Sequence, residues 1–150
     1  MSAKQSPATQ PDFIAGVRSA FAFLESFGFH EAEAVTGMSF DNARVVFESP
    51  ALLIAIQRER GDITADFASI AKPGQWGRLE LVLDHLDGPS GAARYDLSGP
   101  DALRNLASLI RGNLTRVAPL FTPAAIVHTL ARLHKLSEER AERLWPSRRS

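Results

Sequence analysis

The 150-residue chain has the length of one ordinary domain and the composition of a globular protein, with 45% hydrophobic and 23% charged residues. It contains no cysteine, which excludes a disulfide scaffold, a thiolate zinc site and a cysteine nucleophile. Residues 1–10 lack the apolar run of a secretory signal. No segment comes close to about 18 consecutive apolar residues, the length that a membrane span needs. We therefore expect a cytoplasmic protein that makes no membrane contact.

The formal net charge of zero is distributed unevenly along the chain. Residues 1–60 carry 5 basic and 7 acidic side chains, residues 61–101 carry 3 and 7, and residues 102–150 carry 9 and 3, which gives −2, −4 and +6. Such asymmetry can mark an interaction surface, but folding can also bring the acidic middle and the basic end together. We favour the second interpretation, in which the acidic middle and the basic end neutralise each other in the folded chain.

An N-terminal helix is predicted by apolar residues that recur at helical spacing, namely Phe13, Val17, Phe21 and Leu24. Pro11 suits its first turn, and Gly28 suits the left-handed residue that ends a helix. The pattern predicts one helix near residues 12–27.

Between Glu33 and Ile70 the hydrophobic period changes to two, which predicts short strands. The four predicted strands are Ala34–Met38, Arg44–Ser49, Leu52–Arg58 and Ile63–Ile70. Short connections require antiparallel neighbours, so a meander is the simplest topology. The last strand alternates poorly, which predicts a bulge or an exposed edge there.

Helices are predicted for the rest of the chain. After a loop at residues 71–77, residues 78–86 form a short helix, and a second helix from near Pro100 to Pro119 buries Leu106, Ile110 and Leu114. Thr122, followed by proline, is a start signal for the last helix. We expect that helix to bury Ile126, Leu130, Leu133 and Leu144 and to break at Ser137.

These elements predict an α+β fold with an N-terminal helix, a four-stranded antiparallel meander and C-terminal helices packed on the sheet. We expect a single domain over residues 11–146, with disordered tails at residues 1–10 and 147–150.

Catalytic and cofactor motifs are not recognisable in the sequence. The histidines at positions 30, 85, 128 and 134 lack the i, i+4 spacing of a helical zinc site, and no G-x-S-x-G nucleophile motif is present. We therefore predict no catalytic residues, no metal and no cofactor. A small enzyme with an unrecognised site remains an alternative.

The basic C-terminal helix offers another alternative, since its basic side chains could follow a phosphate backbone. These side chains are Arg132, Lys135, Arg140, Arg143, Arg148 and Arg149. Interspersed glutamates favour a solvated, salt-bridged helix, so nucleic-acid binding is the second hypothesis.

Four segments in order carry a resemblance at the level of layout: Phe27-Gly28-Phe29, residues 45–49 (Val-Val-Phe-Glu-Ser), residues 120–123 (Leu-Phe-Thr-Pro) and residues 139–144 (Glu-Arg-Ala-Glu-Arg-Leu). The layout resembles that of small bacterial α/β proteins, and specifically immunity proteins that neutralise polymorphic toxins. The resemblance covers roughly residues 13 to 145 and implies a non-catalytic binding protein. It transfers no functional residue.

The short helix supplies the predicted partner-binding residues. Glu80, Asp84 and Asp87 fall within a narrow arc, and Leu81 lies outside the arc that faces the core. We expect this acidic face, with Leu81 as its apolar contact, to bind a basic partner such as a toxin domain. The chain itself is expected to be a monomer or a homodimer.

Overall fold

A computed structural model of the chain describes residues 10–35, 42–59, 61–88 and 99–145. In chain order its elements are α1 (Gln10–Ala20), β1 (His30–Val35), β2 (Ala43–Glu48), β3 (Leu52–Glu59), β4 (Asp62–Ser69), β5 (Gly77–Arg78), α2 (Leu79–Asp87), α3 (Ala102–Val117) and α4 (Ile126–Leu144). Short 3₁₀ helices at Ala22–Phe27 and Ala118–Phe121 follow α1 and α3. The predicted α+β fold is confirmed, whereas the predicted tails lie almost entirely outside the described residues.

The sheet has the strand order β1-β2-β3-β4-β5, and every neighbouring pair is antiparallel. The first four strands form the predicted meander. The fifth corrects the prediction, because Gly77 and Arg78, assigned to a loop end and a helix start, pair with Phe67 and Asp66. A Cβ on Gly77 would lie 2.7 Å from Leu133 Cδ1. Glycine therefore lets this strand pass close to α4 without displacing the Leu133 side chain.

Strand β1 differs from its prediction in position and regularity. It begins at His30, four residues before the predicted start, and residues 36–38 of the predicted strand lie outside the described residues. The bulge lies in β1, between Glu31 and Glu33, and not in β4, whose pairing with β3 is regular. An edge strand accommodates an extra residue more easily because only one ladder is disturbed.

The N-terminal helical segment is interrupted at Phe21, whose φ of −106° and ψ of 17° separate α1 from the 3₁₀ helix. The predicted single helix over residues 12–27 is therefore wrong. Residues three apart lie on the same side of a 3₁₀ helix, so Phe21 and Leu24 both reach the core, each 1% exposed. Gly28 ends the segment in the left-handed conformation, with a φ of 89°, as predicted.

The main core lies between the helices and one face of the sheet. It combines side chains of α1, the central strands and α2 to α4, the largest fully buried ones including Phe21, Phe67 and Phe121. The predicted burial of Leu106, Ile110 and Leu114 in α3 is confirmed.

Helix α4 departs from its prediction at both ends. Thr122 Oγ1 accepts a hydrogen bond from the Ala125 N–H at 3.3 Å, but this bond belongs to the turn before the helix. The helix begins at Ile126, later than predicted, and its N-cap Ala125 makes no side-chain capping bond. The helix runs without a break through Ser137, and Leu144 is 64% exposed, so both of those predictions are wrong. The reason is that α4 extends beyond the core after Leu136, its last buried residue.

Among the described helices, none combines the length and the apolarity needed to cross a lipid bilayer.

Candidate functional site

Contrary to the prediction, Asp84 does not point toward solvent. Its side chain is 1% exposed and lies between α2 and α4, where Oδ2 accepts a hydrogen bond from Arg140 Nη1 at 3.1 Å and lies 3.9 Å from Arg143 Nη2. Helix α4 therefore covers the side of α2 that bears Asp84, while Leu79, Val82 and Leu83 are buried as predicted. The predicted orientation of Asp84 is therefore wrong.

The other three predicted residues occupy different surroundings. Asp87 Oδ1 forms an ion pair with Arg116 Nη2 at 2.6 Å. Glu80 is partly buried, and its Oε1 has no hydrogen-bond partner among the described residues. Leu81 is half-buried and lines a groove beside α4. The four residues do not form one exposed acidic face, and their binding role stays a prediction.

The ion pairs of Asp84 and Asp87 join the acidic middle of the chain to its basic end. The predicted cancellation of charge is confirmed at these positions. Of the basic residues assigned to a phosphate-binding helix, Arg140 and Arg143 face Asp84, and positions 148 and 149 lie outside the described residues. Arg132 and Lys135 remain exposed on α4.

The face of the sheet that points away from the main core, here called the outer face, carries a second apolar cluster. Strand alternation places its four buried members on this face, and Trp76 packs against them. The members are Val46, Leu53, Ala55 and Ala68.

Trp76 and Arg44 form a bridge over this cluster. The Arg44 guanidinium carbon lies 4.7 Å from the centroid of the Trp76 ring, which is a cation–π contact. Arg44 belongs to β2 and Trp76 precedes β5, so the pair spans the two strands between them. The bridge shields the small side chains below it from water.

Asp66 lies at the centre of the outer face and is 8% exposed. Gln57 Nε2 donates a hydrogen bond to Asp66 Oδ2 at 2.8 Å, and the register places Arg78 directly opposite. Burial raises the pKa of the Asp66 carboxyl; the charges of Arg78 and Arg44 and the Gln57 hydrogen bond act in the opposite direction, while Glu80 adds to the rise. Asp66 therefore holds its proton more tightly than an ordinary carboxyl.

The charges of the outer face are predominantly acidic. Strand alternation and register place five carboxylates on it against two guanidiniums, those of Arg44 and Arg78. The carboxylates are those of Glu33, Glu48, Glu59, Asp62 and Asp66. Apart from Asp66, they form no side-chain hydrogen bond or ion pair within the described part of the chain.

Sequence reasoning missed this surface because it becomes visible only when strands are paired in register. Alternation within one strand shows that Arg44 and Glu48 share a face, or that Gln57 and Glu59 do. It does not show that these faces are the same one, or that Trp76 folds back over it.

Asp66 does not line four of the cavities that the described residues form. Their volumes are 160, 250, 380 and 460 Å³, and Trp76 of the outer face lines the cavity of 380 Å³. The described residues contain no group of three or more histidine or carboxylate side chains arranged to hold a metal ion. An acidic surface with some apolar area is complementary in charge to a cationic protein surface.

Comparison of the chain with protein-family models, curated proteins and solved structures gave no match.

Proposed function

We propose that this chain is a non-catalytic protein-binding domain, an immunity-type inhibitor that acts in the cytoplasm and neutralises a basic toxin domain through the outer face of its sheet. The observation that carries the proposal is the excess of outer-face carboxylates that have no ion-pair partner among the described residues, around the apolar cluster beneath Trp76.

The two components of the outer face have different physical roles in binding. Carboxylates at its edges attract a basic surface over several ångströms and raise the association rate. The half-buried Trp76 ring, which packs on the buried cluster, offers an apolar contact that slows dissociation once water is expelled. This arrangement resembles the charged rim and apolar centre of protein–protein interfaces.

The same charges disfavour nucleic acid as the partner on this face, because phosphates and carboxylates repel each other. Ion pairing of Arg140 and Arg143 with Asp84 also leaves fewer basic side chains on α4 for a phosphate backbone.

The proposal is tested with two variants of equal charge change. Glu33→Lys with Glu48→Lys reverses two outer-face carboxylates, whereas Glu25→Lys with Glu139→Lys reverses two exposed carboxylates on the helical side. The wild type and both variants are used to retain proteins from host extract. A basic protein so retained is then purified, and its association rate with each form is measured at several salt concentrations.

We expect the wild type and the helical-side variant to bind the basic protein with similar, salt-sensitive association rates. The outer-face variant should associate at least about tenfold more slowly at low salt, since steering charges act mainly on association. Equal rates for the two variants would contradict the proposed surface, and retention of nucleic acid alone would contradict the proposed class of partner.

A further inference from the structure

Helix α4 and its C-terminal cap carry most of the large apolar side chains that the described residues expose. Five such side chains are exposed, and three of them belong to this helix or its cap: Val127 at 66%, Leu144 at 64% and Trp145 at 79%. Single exposed apolar residues are common, but several on one helix indicate a contact surface.

The exposed apolar residues belong to one side of α4. At about 100° per residue, this side spans an arc of roughly 100° beside the buried side of the helix. Strongly charged residues such as Arg132, Lys135 and Glu139 occupy the remaining side. The name "α4 stripe" denotes the helix positions on this arc, with Trp145 at their end: Val127, Leu130, His134, Ser137, Ala141 and Leu144.

A groove of 380 Å³ opens along the middle of the α4 stripe. One wall consists of Leu130, His134 and Ser137, and the other consists of Trp76 and Leu81. Protruding apolar groups therefore lie at the two ends of the stripe, and a depression lies between them.

The α4 stripe also carries little charge that could oppose self-association. His134 Nε2 lies 3.3 Å from Glu138 Oε2, so the ionisable group within the stripe has an adjacent counter-charge when protonated. Two copies meeting through their outer faces would instead bring two acidic surfaces together, which like-charge repulsion disfavours. Of these two surfaces, the α4 stripe is the one suited to a second copy of this chain.

We infer that two copies of the chain associate through the α4 stripe, with the two α4 helices antiparallel about a twofold axis near position 136. Val127 and Trp145 are nine residues from this position on either side, so the axis places Val127 of each copy against the Leu144–Trp145 end of the other. Each copy presents the same surface to the other, as closed dimers require. This contact does not use the outer-face carboxylates, and the residue it shares with the outer face is Trp76.

The absence of cysteine from the chain gives a direct test of the axis. Ser137 lies on the stripe one position from the proposed axis, and packed helices approach to about 8–10 Å. Oxidised Ser137→Cys should therefore form a disulfide-linked dimer. Glu139→Cys, on the charged side of the same helix, serves as the control and should form no disulfide-linked dimer under the same conditions.

Sedimentation of the full chain between about 1 and 500 μM should show a reversible dimer, a range suited to an interface of modest area. Val127→Glu or Trp145→Ala should raise the dissociation constant at least about tenfold, because each removes an apolar contact. Ile70→Glu alters a large exposed hydrophobic residue outside α4 and should leave it unchanged. Circular dichroism checks that each variant folds.

A chain that stays monomeric throughout this range would overturn the inference. So would a dimer that Val127→Glu and Trp145→Ala leave intact, or equal cross-linking of the two cysteine variants.

Discussion

Replacing Arg140 with alanine is expected to destabilise the fold more than replacing Asp84, although the two residues form one ion pair. The Asp84 side chain is 1% exposed, whereas those of Arg140 and Arg143 are 35% and 46% exposed. Arg140→Ala therefore leaves a buried carboxylate whose remaining guanidinium lies 3.9 Å away. Asp84→Ala leaves two arginines that can turn toward water.

The magnitudes follow from this difference in burial. Removing one partner from a buried charge costs about 3–5 kcal/mol. Because Arg143 still lies close to the Asp84 carboxylate, the loss for Arg140→Ala should be at the lower end of this range, about 3 kcal/mol. A pair whose remaining members are well solvated contributes about 1 kcal/mol or less, so Asp84→Ala should cost about 1 kcal/mol. The second oxygen, Asp84 Oδ1, already lacks a hydrogen-bond partner among the described residues, so its removal leaves no polar group unpaired.

Urea titration measures both losses. With a denaturant slope of about 1–3 kcal/mol per molar, Arg140→Ala should lower the midpoint by about 1 M or more and Asp84→Ala by clearly less. Arg132→Ala is the control, since Arg132 is exposed on the same helix, and should change the midpoint little. An equal or greater loss for Asp84→Ala would refute the reasoning and would mean that the Asp84 carboxylate is well hydrated.

Three further predictions concern the core, the fifth strand and pH. Ile110→Ala should cost about 2–5 kcal/mol, because the side chain is 1% exposed and its loss leaves a cavity; an unchanged urea midpoint would show that α3 presents this residue to solvent. Gly77→Ala should cost about 1–3 kcal/mol, because the new Cβ would lie 2.7 Å from Leu133 Cδ1. Gly74→Ala is the matched control, since nothing lies within 4 Å of a Cβ at that position. Equal urea midpoints for the two variants would contradict this packing. The raised pKa of Asp66 means that the folded state binds this proton more tightly than the unfolded chain does. Ionisation of Asp66 therefore lowers the stability of the wild type as pH rises from the ordinary pKa of the carboxyl to its raised pKa, and Asp66→Asn should gain stability relative to the wild type over that window. A constant difference in stability from about pH 4 to about pH 7 would contradict the shift.

Much of the fold could be predicted from hydrophobic period, because period reports which side of an element faces a core. The spacing of Leu106, Ile110 and Leu114 fixed the buried side of α3, and the change to period two located the meander. Strand β5 could not be found in this way, because two residues carry no period. Leu144 has helical spacing but lies beyond the end of the core, a distance that no local pattern encodes.

The surroundings of Asp84 and Asp66 depend on long-range contacts and were not predictable from local sequence. A helical projection shows that Asp84 lies on another side of α2 than Val82, but not that α4 covers that side as well. For Asp66, the neighbours Gln57 and Arg78 lie on two other strands and face it only after the sheet forms. The layout that resembles immunity proteins carries no information about either residue.

Carboxyl labelling with mass-spectrometric readout, applied with and without the basic protein retained by the chain, tests the central proposal most directly. We predict that binding lowers the labelling of Glu33, Glu48, Glu59 and Asp62 on the outer face and leaves Glu139 on α4 unchanged. Protection of Glu139 with full labelling of the outer-face carboxylates would contradict the proposed interface.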